Sequence, residues 1–91
     1  MMYEVVFTQS YTRRAKRFIR KHPELTGQYR KTLELLELNP FHPSLRLHKL
    51  KGQLSDLHSV SINLSYRITI EFLVQGRTII PVDVGPHDHV Y

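Results

Sequence analysis

The chain contains no cysteine, which excludes a disulfide framework, thiolate catalysis and a zinc site built on thiolates. Nowhere do about 18 apolar residues run together, so no membrane-spanning helix is expected. The opening MMYEVVFTQS lacks the basic and long apolar stretches of an export signal. Internal repeats, low-complexity tracts and any linker long enough to separate domains are absent as well. Acidic residues are the minority charge: eight Asp and Glu stand against thirteen Lys and Arg, a net charge of +5. Such a balance attracts polyanions, either nucleic acid or an acidic protein. The 91 residues, 41% of them hydrophobic, fit one globular domain. A large multi-step enzyme is thereby excluded, and residues 1–91 read as one soluble, cytoplasmic domain.

Tyr3 to Thr8 is a short β-branched run and predicts a first strand. Ser10 is read as the N-cap of a helix in which Ala15, Phe18 and Ile19 form a narrow apolar stripe among Arg13, Arg14, Lys16, Arg17, Arg20 and Lys21. Pro23 and Glu24 suit the first turn of a second helix, with Leu25, Tyr29, Thr32, Leu33 and Leu36 on one face until Asn39-Pro40 stops it. The segment 39–44, with two prolines, predicts a rigid connector that is neither helix nor central strand. Beyond it the apolar period changes from 3.6 to 2. Leu45–His48, a run from Ser59 to Leu64, and Tyr66–Val74 predict three strands, and a tight Gln75-Gly76 turn leads into a fourth from Arg77 to Val84. The expected fold is α+β: an N-terminal strand, a basic two-helix hairpin, then an antiparallel β-meander with the helices packed on one sheet face.

Strand parity places Arg46, His48, Ser59, Ser61, Asn63, Arg67, Thr69 and Glu71 on the face away from the helices, read as an open polar working surface. His48-Lys49-Leu50-Lys51-Gly52 concentrates cations at a strand end, with Gly52 permitting a sharp exit. Such a knot either grips phosphate or is simply solvated. Gly85-Pro86-His87-Asp88-His89-Val90-Tyr91 follows the last strand, and its imidazoles, carboxylate and phenol are either acid, base or ribose contacts or a partly ordered terminus. Arg67 sits inside a strongly patterned strand, placed either as a rigid transition-state clamp or as a surface partner of Glu71 or Asp83. His87 and His89 with His48 or His42 would make a metal site only with further ligands that the sequence does not identify, so no metal or cofactor is expected. His22 and His42 are assigned to structure or solvent, and His58 to a satisfied position at the core edge.

In combination, HKLKG, the turn carrying Leu54, Ser55, Asp56 and Leu57, the strand Tyr66-Arg67-Ile68-Thr69-Ile70 and the ending DVGPHDHVY make the chain resemble the RelE/StbE group of toxin–antitoxin ribonucleases, including its YafQ-like members, over essentially its whole length. The resemblance implies a small toxin that cuts messenger RNA, typically on the ribosome, and is held inactive by a cognate antitoxin. It implies an active site of His48, Lys51, Arg67, His87 and Tyr91. Ser61 and Ser65 stand where some relatives carry Arg, His or Asp, His58 replaces a frequent aromatic, and His89 replaces a common Glu.

The chemistry of metal-free RNA cleavage suits these residue types. A base must take the 2′-OH proton, cations must hold the phosphorane, and an acid must protonate the departing 5′-oxygen. Imidazoles serve both transfers near neutral pH, and Arg67 and Lys51 suit the phosphorane. His48 is read as the base and His87 as the acid, with the two roles exchangeable, and Tyr91 as orienting or stacking on a splayed nucleotide. RNA contacts are expected from Arg46, Lys49, Ser61, Asp88, His89, Arg13 and Arg17, and the basic first helix with Arg30-Lys31 is expected to meet ribosomal RNA. Two rivals remain: a ParE-like poison of DNA gyrase on the same fold, and a non-catalytic nucleic-acid-binding module.

Overall fold

The computed structural model describes residues 2–52 and 56–87. In chain order the elements are β1 (Glu4–Val5), α1 (Gln9–Lys21), one turn of 3-10 helix (Pro23–Leu25), α2 (Thr26–Leu38), a second such turn (Pro43–Leu45), β2 (His48–Lys49), β3 (His58–Ser61), β4 (Tyr66–Leu73) and β5 (Thr78–Pro86). They form a five-stranded sheet in the order β1-β5-β4-β3-β2. β2 to β5 make the expected antiparallel meander, and β1 adds a parallel edge by pairing Glu4 and Val5 with Thr78 and Ile79. The two helices pack against one face of this mixed sheet, an α+β fold as expected.

Helix α1 starts ahead of the expected cap. Thr8, extended at φ −88° and ψ 161°, caps it by accepting the Tyr11 N–H at 3.1 Å, so Ser10 lies inside the first turn. That shift puts Tyr11 on the apolar stripe with Phe18, both buried, and the Tyr11 hydroxyl meets the Tyr29 hydroxyl of α2 at 2.9 Å. Burial raises the pKa of both phenols above the ordinary range, so the pair stays a neutral bond between the helices. α2 contributes Thr32 and Leu36 to the interior, and the sheet contributes Val60, Ile68, Ile70, Ile79 and Val84.

All five strands depart from the expected bounds, β4 by ending at Leu73 and β5 by running Thr78–Pro86, and the larger departures of β1, β2 and β3 have local reasons. β1 is only two residues long: Tyr3 donates its N–H to Glu37 O of α2 at one end, and at the other Thr8 is committed to capping α1. Leu45 is buried in a 3-10 turn and Arg46 takes a left-handed φ of 49°, so β2 begins at His48 and Arg46 lies off the sheet face. Asn63 ends β3 early: its Oδ1 accepts the N–H groups of Ser65 and Tyr66, closing an Asx turn. Asn63 therefore leaves the strand face and Leu64 is 77% exposed. In the β4–β5 hairpin Arg77, and not Gly76, adopts the positive φ of 50°. Pro81 sits opposite Ile70 at the register shift between Thr69 and Ile70, on the part of β5 that outruns β1, where a missing N–H costs no ladder bond.

Replacement of Ile68 by Ala should lower the unfolding free energy by about 2–5 kcal/mol in urea titrations. Leu64→Ala should change it by less than about 0.5 kcal/mol, and comparable losses at both positions would contradict the placement of Leu64 in the turn.

Candidate active site

Residues opposite one another on antiparallel strands share a face, so the register builds the site. One row runs His48–Ser59–Thr69, and the next runs Ser61–Arg67–Gly85. His87 follows Gly85 by two positions and donates its backbone N–H to Ser65 O at 2.8 Å. His48, Ser61, Arg67 and His87 thus lie along one diagonal of one face. Arg67 and His87 are diagonal neighbours with backbones about 7–8 Å apart, within reach of long side chains. His48 lies two strands from Arg67, about 12 Å away at ordinary strand spacings.

This face is polar, as expected, but its centre is not open. Ser59, Thr69 and Arg67 are 1%, 2% and 9% exposed. The short side chains of Ser59 and Thr69 lie low between neighbours and Arg67 is buried despite its length, whereas His48 and His87 at the ends of the diagonal are exposed. Ser59 Oγ and Thr69 Oγ1 are buried with no hydrogen-bond partner among the described residues. Asp83, one of the two carboxylates weighed for Arg67, is engaged by Arg14 of α1 at 3.5 Å.

His48 Nδ1 lies 3.0 Å from the Arg46 carbonyl oxygen. A carbonyl only accepts, so Nδ1 carries the proton and the neutral ring keeps its lone pair at Nε2. The strained Arg46 backbone therefore sets the tautomer of the neighbouring imidazole, a connection that spacing in the sequence does not reveal. Lys49 pairs with His58 across the strands and shares the parity of the helix-side face. Leu50 is buried, and its N–H donates to Leu57 O at 2.9 Å. Lys51 is exposed beyond β2, on the side of His48 away from Arg67, and Gly52 makes the expected sharp exit at φ 71°. Arg13 and Arg17 are exposed on α1. Leu54, Ser55, Asp88, His89 and Tyr91 lie outside the described residues.

His22 has a structural role as expected, packing against Phe18 and Tyr66 and pairing with Glu24. His58 stands at the core edge against Phe72, but its Nδ1 is buried without a partner among the described residues, so it is not the satisfied imidazole expected. Burial first, then Lys49 and His48, push its pKa below the usual value. The unfolded chain thus takes up this proton more readily than the folded one. The stability that neutral His58 contributes is present above the ordinary histidine pKa of about 6.5 and is lost as pH falls through the lowered value. His58→Phe should accordingly gain on the wild type in denaturant midpoint as the pH is lowered from about 7, and a gap that stays constant with pH would contradict this.

No protein-family model matches the sequence, and no curated protein does. Solved structures do. YafQ from Escherichia coli strain BL21(DE3) superimposes with a TM-score of 0.78 at 10% identity, over 98% of each chain. A match in the E. coli DinJ–YafQ toxin–antitoxin complex gives 0.77 at 13% identity, over 100% of this chain and 99% of that one. The toxin–antitoxin complex RelBE2 from Mycobacterium tuberculosis gives 0.62 at 17%, over 96% and 100%. Overlap along nearly the whole length at such low identity is evidence of architecture, and the chain has the RelE/YafQ-like toxin fold.

Proposed function

We propose that the protein is the toxin of a type II toxin–antitoxin pair and cuts messenger RNA by proton transfer between its own side chains. The observation that carries this reading is the diagonal His48–Ser61–Arg67–His87 on one sheet face. In-line displacement at phosphorus needs a base and an acid on opposite sides of the phosphate, with positive charge between them, and this diagonal offers that order. His48 Nε2 takes the 2′-OH proton, since Nδ1 is committed to Arg46 O. The 2′-oxygen attacks phosphorus, Arg67 stabilises the phosphorane, and His87 protonates the departing 5′-oxygen. The products are a 2′,3′-cyclic phosphate and a 5′-OH.

Ser59 and Thr69, buried beside His48, shape the floor of the face between the two histidines. Lys51, on the far side of His48, is assigned to the next phosphate along the strand instead of the phosphorane. Tyr91 is assigned to stacking on a splayed base. An antitoxin partner is supported by the complexes in which the YafQ and RelBE2 structures were solved. The groove of about 680 Å³ between α1 and α2, floored by Tyr11, Ala15, Ile19 and Leu33 and rimmed by Lys16 and Arg20, suits an amphipathic acidic helix.

Purified protein added to ribosomes translating a defined message should cut it and leave a cyclic phosphate. His48→Ala and His87→Ala should each lower the rate by about 10²–10⁴-fold, and Arg67→Lys by about 10²-fold with an unchanged circular dichroism spectrum. A message left intact by wild type, or variants that cut as fast, would overturn the proposal. Stalled gyrase with an intact message would favour the ParE-like rival.

A further inference from the structure

A second cleft opens between α1 and the C-terminal half of β5, the half that outruns β1 at the sheet edge. It measures about 580 Å³, and its lining includes Arg14, Arg17, Lys21 and His22 from the helix with Gly85 and Pro86 from the strand. Helical geometry places Arg14, Arg17 and Lys21 on one flank of α1 at spacings of three and four, spanning about 10 Å. The carboxylate in the lining, Asp83, is already held by Arg14 at 3.5 Å and by the Val84 N–H at 2.9 Å. The cleft therefore carries net positive charge. The His22 ring, its side chain 27% exposed, lies beside these cations, tilted by 53° against Tyr66 at a centroid distance of 4.8 Å and by 43° against Phe18 at 5.0 Å. Cations along a groove with an accessible aromatic ring are what single-stranded nucleic acid requires, one for the backbone and the other for a base. An acidic peptide would use the charge and leave the ring idle. The strand flooring the cleft continues through Pro86 into His87.

We propose that this cleft binds the sugar–phosphate backbone of single-stranded RNA as it leaves the His87 end of the candidate site. The inference rests on the ribonuclease reading for its choice of RNA, but its test uses binding alone. Affinity for a short, uncleavable 2′-O-methyl oligoribonucleotide is measured across a salt series for wild type and three variants. Arg17→Ala/Lys21→Ala should weaken binding about tenfold at 0.1 M salt and lower the salt slope by about 1.4, the value for two phosphate contacts on a single strand. Lys16→Ala/Arg20→Ala removes equal charge from the other flank of α1 and should cost less than half as much in slope. Asp83→Asn keeps the oxygen that accepts the Val84 N–H, frees Arg14 and should tighten binding, an effect that misfolding would not produce. Equal losses from both double variants, or no loss from either, would overturn the proposal. Loss of polyglutamate affinity with RNA affinity retained would overturn it in favour of an acidic protein. If the wild type binds in this way yet cuts no message, the ribonuclease reading falls and the cleft stands; if it cuts but the flanks are equivalent, the reverse holds.

Discussion

Strand β4 is paired on both sides, with Val60 opposite Ile68 on β3 and Val84 opposite Ile68 on β5. A slip of one residue in either ladder would carry Ile68 and Ile70 out of the core and drive Arg67 and Thr69 under the helices. Burial of those two isoleucines, both 0% exposed, therefore fixes which way Arg67 faces. The same registers carry the constraint to His48 through Ser59 and to His87 through Gly85. A guanidinium in the middle and an imidazole at each end of one face is in this sense a consequence of hydrophobic packing on the other.

The polar face is held at some cost. Ser59 Oγ and Thr69 Oγ1 on it are buried without partners among the described residues, and an unsatisfied buried polar atom costs about 1–3 kcal/mol. Arg46 adds left-handed backbone at φ 49° shortly before the imidazole whose tautomer its carbonyl sets. Backbone strain and unpaired buried hydroxyls thus gather around His48.

The features legible in the sequence were those with long, redundant periodicity. The α1 stripe, the α2 face and the alternation of Tyr66–Leu73 each repeat a signal over several turns or residue pairs. The resemblance to RelE-like toxins rests instead on HKLKG and the ending GPHDHVY, and the fold bears it out. What was missed depends on single contacts. Thr8 rather than Ser10 caps α1 because of one hydrogen bond to Tyr11, and Asn63 leaves β3 because its amide oxygen captures two backbone donors. Arg46 and Arg77 take conformations usually given to glycine, which composition cannot announce. Parity correctly grouped His48, Ser59, Ser61, Arg67 and Thr69, yet it said nothing of depth, and the centre of the face is buried.

Helix α1 separates two surfaces of different character, an apolar groove shared with α2 and a cationic cleft shared with β5. Two partners could thus approach from different flanks of the helix while the polar face of β2 to β5 stays free of both. The central claim is that His48, Arg67 and His87 surround one RNA linkage. Its most direct test is a nuclear magnetic resonance titration with an uncleavable dinucleotide, following the ring signals of both histidines and the Arg67 side chain. The account predicts that all three shift with one common dissociation constant. Shifts confined to one end of the diagonal, or separate constants for the two histidines, would contradict it.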